Sequence, residues 1–414
     1  MASRVTRRAV VTSSLLAALP RKSRAAPVVI EYWQYYFKER VTAMDALIGG
    51  FEAANPGIAV RHITFPYAQY RTKISAAVPA GEGPDVLQLY YGWLRDFRRA
   101  KLIAPLPTDL FPPDAIDKEF TPIIRQMRAD GAYHALPTAV RSMGLFTNRA
   151  RMREAGLDPA TPPATLDSFL DAARRIARSD AAGNLLVAGT TIGLPSQDSH
   201  WWREVLVRQF GGTPFSDDYR QVRYGSDAGA EALRWYADLQ LKHKVAAAGF
   251  MTEAAPAFRG GHVGLLINGS FLMGAVQATK GLDFAVAELP AHNNIRANYA
   301  SYWANALVDR PASPKREAAA RFLAFITTAD AMARWAAATG ELPARADATT
   351  PAALAPFSRG LAYASATDFV DEDAQRAVFS DMLDRVLLKG QSPAASVREA
   401  AAAEQKIIDD YYKG

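Results

Sequence analysis

The chain has 414 residues, a length that predicts two or three domains with substantial cores. Its 48 lysines and arginines exceed its 42 acidic residues, but residues 1–25 hold six of the basic residues and no acidic one. The rest of the chain is therefore balanced at 42 of each sign, which gives no reason to expect nucleic acid or an anionic membrane as a partner. Because cysteine is absent, disulfides, thiolate metal sites, a cysteine nucleophile and a lipid-modified N-terminal cysteine are excluded.

Residues 1–25 have the pattern of an export signal. Arg7 and Arg8 precede an apolar run that ends near Leu19, and Ser23-x-Ala25 provides small residues for cleavage. The arginine pair resembles the twin-arginine type, with an ordinary Sec signal or a basic tail as alternatives. No later segment reaches the ~18 consecutive apolar residues of a membrane span. We therefore expect an exported protein that is retained in a periplasm.

Strands and helices alternate after this segment. Apolar runs bounded by turn residues indicate strands, and apolar residues at helical spacing indicate helices. The predicted order is strand 28–30, helix 41–51, strand 58–63, helix 67–78 and strand 86–89. This βαβαβ order predicts a parallel sheet with right-handed crossovers.

Aromatic residues follow the third of these strands. Tyr90, Tyr91 and Trp93 come directly after residues 86–89, and ligands of open α/β sheets bind outside the carboxyl ends of strands. Neighbouring residues of a regular strand point to opposite faces, so only one of the two tyrosines is expected to face a ligand. We favour Tyr91 together with Trp93, joined by the flexible Gly92.

Further segments stand in a characteristic order along the chain. They are Phe51-Glu52 with Asn55-Pro56-Gly57-Ile58, Gly81-x-Gly83-Pro84-Asp85-Val86, Asp130-Gly131-x-Tyr133-x-Ala135-Leu136-Pro137, residues 258–271, Tyr302-Trp303 and Gly340-Glu341-Leu342-Pro343-Ala344-Arg345. Together they resemble the extracellular solute-binding proteins of ABC importers, in particular the maltose-binding-like family 1. The resemblance extends over nearly the whole mature chain, although residues 158–257 carry few of these signatures.

The resemblance implies an α/β fold with the two-lobed Venus-flytrap architecture of periplasmic binding proteins. Each lobe is then a mostly parallel sheet flanked by helices, and hinge strands join the two. We expect lobe I to contain residues 26–139 and about 304–350, and lobe II to contain residues 143–300 and about 351–414. The hinges are expected near 139–142 and 298–306.

Aromatic rings and polar side chains in these segments predict the ligand contacts. Rings cover the apolar C–H face of a sugar, and amides or guanidinium forks bind its hydroxyls. The predicted ligand-binding residues are Trp33, Gln34, Tyr35, Tyr90, Tyr91, Trp93, Arg141, Trp201, Trp202, Ser270, Phe271, Tyr302, Trp303 and Arg345. Further polar candidates are Gln69, Asp198 and Asn268, while Trp235 and Trp335 are expected in the core.

Two of these predictions carry alternatives. In an adjacent helical pair the side chains diverge by about 100°, so only one of Trp201 and Trp202 is expected to face the cleft. Arg141 and Arg345 suit vicinal hydroxyls, a carboxylate or a phosphate, and an ion pair between the lobes is an equal alternative.

The resemblance implies a substrate-binding component of an ABC importer. It would capture a sugar, oligosaccharide or polyol by hinge closure and deliver it to the membrane permease subunits, as a monomer with no cofactor, metal, nucleic-acid partner or catalysis. A charged ligand, such as a sugar phosphate or organic anion, is one alternative. A ferric ion is another, because Tyr35-Tyr36 and Tyr90-Tyr91 resemble the adjacent tyrosines of ferric-ion-binding proteins. An exported carbohydrate-active enzyme is the least supported, since the histidines are scattered and no catalytic motif is present.

Overall fold

The computed structural model describes residues 26–192 and 200–413. The predicted export signal (1–25) and the candidate Asp198 lie outside these residues. The strands are β1 Val28–Tyr35, β2 Ile58–Phe65, β3 Val86–Tyr90, β4 Arg128–Ala129, β5 Ala132–Tyr133, β6 Leu136–Asn148, β7 Arg178–Ser179, β8 Leu185–Val187, β9 Leu265–Gly269, β10 Phe284–Ala287, β11 Asn298–Leu307, β12 Leu342–Pro343 and β13 Ala364–Ser365.

The helices flank these strands along the chain. They are α1 Lys38–Ala54, α2 Tyr67–Ala77, α3 Leu94–Arg99, α4 Pro113–Glu119, α5 Arg149–Glu154, α6 Leu166–Ile176, α7 Asp227–Leu241, α8 Ala254–Arg259, α9 Met273–Gln277, α10 Pro314–Ile326, α11 Ala329–Thr339, α12 Ala355–Leu361, α13 Glu372–Leu387 and α14 Pro393–Lys413. None of the helices in the described ranges has both the length and the apolar character of a membrane span.

The main sheet has the strand order β10-β6-β11-β3-β1-β2. β1 pairs parallel with β2 and β3, as the βαβαβ order predicts. The other long pairings are antiparallel, because β11 runs back between β3 and β6, and β9 and β10 run opposite to β6. The sheet is therefore mixed, and only its first part is parallel.

Two long strands connect the two parts of this sheet. β6 pairs with β11 through Leu136–Ser142 and with β9 through Met143–Thr147. Every residue of β6 and of β11 is buried. We name the part with β1, β2 and β3 lobe I and the part with β9 and β10 lobe II; the residue limits of the lobes remain a prediction.

The buried hydrophobic residues form two clusters, of which the first also extends to Phe146 of β6 and Leu266 of β9. One cluster contains residues of β1, β3 and α10, such as Tyr32, Leu87 and Phe322. The other contains residues of β9, α7, α13 and α14, such as Leu233 and Phe379. The C-terminal helices α13 and α14 pack on α7, and we group them with lobe II for description.

We expect Gly144→Ala to destabilise the protein, because Gly144 lies in β6 under α12. An added Cβ would lie 2.5 Å from Phe357 Cε1 and 3.2 Å from the carbonyl oxygen of Ala287. Pairing on both sides prevents β6 from shifting, so the loss should be about 1–3 kcal/mol in urea unfolding. The control is Gly49→Ala in α1, where no atom lies within 4 Å and a gain of up to about 1 kcal/mol is expected. Equal midpoints for the two variants would contradict this account.

Candidate functional site

A buried ionic cluster lies beside the middle of β6. Glu341 Oε1 is 2.9 Å from Arg40 Nη2 and 2.6 Å from Arg141 Nε, and Glu341 Oε2 accepts a hydrogen bond from Trp335 Nε1 at 2.8 Å. Burial acts to raise the pKa of Glu341, but the two guanidiniums hold it below its ordinary value. The cluster therefore carries two positive charges and one negative charge.

Three distant segments bring these groups together. Arg40 lies in the first turn of α1, Arg141 in the centre of β6, and Glu341 directly after α11. The helix α11 ends at Gly340, whose φ of 75° is a left-handed conformation that glycine adopts readily. This turn leads the chain into β12, which pairs with Ala139 and Val140 beside Arg141.

Phe271 covers this cluster from lobe II. Its ring centroid lies 5.1 Å from Arg141 Cζ and 5.9 Å from Arg40 Cζ, within cation–π distance. Arg141 Nη2 also donates to the hydroxyl of Tyr35 at 3.3 Å. Arg141 Nη1 has no hydrogen-bond partner within residues 26–192 and 200–413. The two N–H donors on Nη1 are therefore available to a ligand.

Phe271 also lines a cavity of about 280 Å³ in lobe II. This volume is near the lower end of the range for small-molecule sites. Its polar lining includes Thr190, Glu253 and Asn268. Its aromatic lining consists of Phe169, Trp201, Trp235, Tyr236, Phe250 and Phe271. We call this space the aromatic cavity.

A cluster of rings in lobe I surrounds Trp303. Its ring centroid lies 4.3 Å from that of Tyr35, 5.1 Å from that of Trp93 and 5.6 Å from that of Tyr90. All of these side chains are buried. The indole N–H groups of Trp93 and Trp303 have no protein acceptor in the described part of the chain. The candidate residues Tyr35, Tyr90, Trp93 and Trp303 are thus brought together.

Tyr90, the last residue of β3, and Tyr91, which follows it, both direct their hydroxyls towards Tyr299. The hydroxyls of Tyr90 and Tyr91 lie 3.0 and 3.1 Å from the hydroxyl of Tyr299, and Tyr91 stacks on Tyr302 with centroids 4.9 Å apart. The expectation that they point to opposite faces is wrong, because β3 ends at Tyr90 and a 3₁₀ turn begins at Tyr91. Trp93 packs on Phe97, and the structure records no ring contact between Tyr91 and Trp93 among these residues.

This arrangement does not favour a ferric site. Burial raises the pKa of Tyr91 well above its ordinary value, and the hydroxyl of Tyr91 lies against that of Tyr299. Tyr36, the partner of Tyr35 in the other pair, is exposed. In residues 26–192 and 200–413, no group of three or more histidines and carboxylates is placed to hold a metal ion.

The adjacent tryptophans divide between two environments. Trp201 lines the aromatic cavity, whereas Trp202 is fully buried against Tyr224 and Phe379. That only one of the pair faces the ligand cleft stays a prediction. Trp33 packs on Phe65 under α2 and is nearly buried.

The remaining candidates lie away from the aromatic cavity or beneath it. Gln34 and Ser270 are fully buried, and their side-chain polar atoms have no partner among the described residues. Arg345 is paired with Glu119 and Asp347 and lines a different cavity. Arg345 is therefore not brought together with Arg141.

Sequence reasoning does not identify four of the residues found here as parts of the site. Arg40 and Glu341 are 301 residues apart, so no local pattern predicts their pairing. Trp235 was expected in the core because it lies on an alanine-rich helix. It does pack against Phe169, but it also lines the aromatic cavity. Its neighbour Tyr236 lines the same cavity, and an adjacent aromatic pair on a helix was the signal that could have revealed this.

His200 belongs to a buried network below the site. Its Nε2 lies 2.9 Å from Glu372 Oε1, and Arg203 and Gln375 continue the network. Burial lowers the pKa of His200 well below its ordinary value, and Arg203 acts in the same direction. A histidine and carboxylate that are both inaccessible to solvent are typical of a structural network.

Comparisons with known proteins agree with this architecture. A family model described as bacterial extracellular solute-binding protein matches residues 46–358. A crystal structure of an ABC transporter solute-binding protein from Thermotoga lettingae TMO, bound with alpha-D-tagatose, is similar with a TM-score of 0.80 and 22% identity, covering 92% of this chain and 99% of that one. The predicted two-lobed α/β fold is thereby confirmed.

Two curated relatives show the range of ligands among similar proteins. The maltotriose-binding protein of Pyrococcus abyssi is 22% identical over 259 residues, which cover 62% of this chain but only 52% of that protein. The chain thus spans about half the length of this relative. The sn-glycerol-3-phosphate-binding periplasmic protein UgpB of Escherichia coli K12 is 23% identical over 345 residues, which cover 77% of this chain and 74% of that protein.

We expect Glu341→Gln to reduce stability, because it leaves two buried guanidiniums without a carboxylate. The expected loss in free energy of unfolding is about 3–5 kcal/mol near pH 7. Since the folded pKa of Glu341 is below its ordinary value of 4.5, its contribution is present above pH 4.5 and is lost as the pH falls through the folded pKa. Urea unfolding at several pH values should therefore show the two proteins converging below pH 4.5.

The control for this substitution is Glu231→Gln. Glu231 pairs with Arg234 on the exposed surface of α7, and its replacement should leave the unfolding midpoint unchanged. A loss for Glu341→Gln no larger than for Glu231→Gln would show that the buried cluster does not stabilise the fold.

Proposed function

Because the chain belongs to the family of bacterial extracellular solute-binding proteins, we propose that it is the substrate-binding component of an ABC importer and captures a small hydroxylated solute, a sugar, oligosaccharide or polyol. One observation carries this proposal: Phe271 lines the aromatic cavity and also lies over the guanidinium of Arg141. Rings supply desolvated area against C–H faces, and the guanidinium supplies donors to hydroxyl oxygens. The maltotriose-binding and tagatose-bound relatives support the same ligand class.

Capture by hinge closure follows from the layout of the strands. β6 and β11 join the lobes, and Phe271 of lobe II meets Arg40 and Arg141 only where the lobes approach one another. A ligand that touches both sides favours the closed form by its differential affinity for that form. A second contact between the lobes is the ion pair of Arg71 in α2 with Asp373 in α13.

The protein binds its solute without changing it and acts with separate permease subunits of the importer. It works as a monomer in the periplasm, to which the twin-arginine segment directs it. Support for this location comes from the extracellular character of the family and from the export pattern of residues 1–25.

A charged ligand is the second candidate, and the ionic cluster favours it. Arg40 and Arg141 both pair with Glu341, and guanidinium groups of this kind suit a phosphate or carboxylate. The sn-glycerol-3-phosphate-binding relative supports this alternative.

A thermal-shift screen tests the proposal. The panel contains mono- and disaccharides, polyols, glycerol 3-phosphate and organic acids. A bound ligand at 100 times its Kd adds about 2.7 kcal/mol of stability, so at least one hydroxylated compound should raise the Tm clearly. A response restricted to the phosphorylated or carboxylated compounds would select the second candidate, and no response to any compound would refute both. Recovery of the solute intact after incubation checks that no reaction occurs.

We expect Phe271→Ala to weaken binding of any ligand found in the screen about tenfold or more, because it removes the ring shared by the aromatic cavity and the arginines. Isothermal titration calorimetry measures the change. The control is Phe210→Ala, a half-buried phenylalanine of lobe II that packs on His292 outside the cavity. Equal affinity in the two variants would place the ligand elsewhere.

A further inference from the structure

We propose that an ionic latch between α2 and α13 holds the two lobes together before a solute binds. The latch is the ion pair of Arg71 in lobe I with Asp373 in α13. It goes beyond the proposed function, because it sets the balance between open and closed forms of the protein in the absence of a ligand. Two properties of the charges carry the proposal, namely the partners that each has within its own lobe and its exposure to solvent.

The latch is the centre of a row of four charges. Arg71 Nη2 is 2.7 Å from Asp96 Oδ2 within lobe I, and Arg376 Nη2 is 2.7 Å from Asp373 Oδ1 within α13. Separation of the lobes breaks only the central pair. Arg71 then keeps its partner in lobe I, and Asp373 keeps its partner in α13. Because neither charge is left without a partner, opening avoids the cost of isolating an ion.

Water and salt reach all four of these side chains. Their exposed fractions range from 22% for Arg376 to 46% for Asp373. Ion pairs of this exposure are weak and are screened by salt, over a Debye length of about 30 Å at 0.01 M and about 3 Å at 1 M. The latch therefore adds a modest and reversible preference for the closed form, and this preference decreases as the ionic strength rises.

Buried contacts attach α13 to the rest of lobe II. Gln375 Nε2 in α13 donates to Glu404 Oε1 in α14 at 2.8 Å, and Arg203 Nη2 lies 2.9 Å from Glu404 Oε2. Arg203 belongs to the segment Trp202–Val207, which packs on α7. Gln375, Glu404 and Arg203 are each at most 1% exposed. This network is shielded from water, whereas the Arg71 pair is not, so the latch is the contact that breaks when the lobes separate.

A second ion pair has the same polarity as the latch. Arg95 Nε of α3 donates to Asp368 Oδ1 at 3.0 Å, and Asp368 lies four residues before the start of α13. The helices α2 and α3 of lobe I thus supply the positive partners, and the segment 368–373 supplies the negative ones. Charge complementarity of this kind favours one arrangement of the two surfaces over others.

Single-molecule energy transfer between two dyes tests the latch in the ligand-free protein. Because the chain has no cysteine, Ser75→Cys in α2 and Ala403→Cys in α14, both at exposed positions, take up the dyes specifically. In about 0.01 M salt the main population should have the shorter distance. About 1 M salt should increase the longer-distance population at least threefold, because the latch is then screened. Identical distance distributions at both salt concentrations would overturn the proposal.

Charge-neutral variants separate the latch from a general effect of salt. Asp368→Asn combined with Asp373→Asn should raise the longer-distance population in about 0.01 M salt at least threefold. The control combines Asp283→Asn and Glu231→Gln, whose carboxylates pair with arginines of α5 and α7 away from α13. This control should match the unchanged protein. Equal populations in the two double variants would refute the latch.

Two further measurements keep these outcomes distinct from other effects. Urea unfolding of each double variant checks that the fold is intact, since all of these substitutions lie at positions that solvent reaches. The distance measurements contain no solute, so their result does not depend on the proposed function. A shift to the shorter distance when a compound from the thermal-shift screen is added reports closure by a ligand separately from closure by the latch.

Discussion

The pairing of Glu341 with two buried guanidiniums is the constraint on which the site depends. Removing an ion from water costs several kcal/mol unless a partner compensates it. The segments that carry Arg40, Arg141 and Glu341 must therefore stay together, although they come from α1, β6 and the end of α11. Their convergence fixes the middle of β6 against lobe I. It also places two guanidiniums beside the ring of Phe271.

Phe271 connects lobe II to this ionic cluster. It follows β9, which pairs with the second half of β6, and its ring lies over guanidiniums held by the first half. A second close approach occurs at Gly92, where a Cβ would lie 2.9 Å from Phe369 and 3.1 Å from Glu372. A glycine is required there because α13 of lobe II comes directly against the turn after β3. The two lobes thus meet at two close contacts. One is the ring of Phe271 over the guanidinium of Arg141, and the other is Gly92 against Phe369 and Glu372.

Local patterns in the sequence predict the first part of lobe I. The parallel strands β1 to β3 and the helices between them follow from apolar periodicity and turn residues. The 3₁₀ turn at Tyr91 has no such periodicity, so the directions of Tyr90 and Tyr91 were mispredicted. Tyr35, Trp93 and Trp303, which residue types at strand ends predict as ligand contacts, are neighbours in space and buried among one another, and their contact with a ligand stays a prediction.

The charges of the site were beyond prediction for a different reason. Arg40 and Glu341 pair across 301 residues, and a long-range ion pair leaves no trace in composition or spacing. Net charge is equally uninformative, because basic and acidic residues balance outside residues 1–25. Inside the fold, Phe271 lines the aromatic cavity and also lies 5.1 Å from Arg141 Cζ. Only the folded chain brings the cavity and the guanidinium to one ring, so this juxtaposition could not be predicted from the sequence.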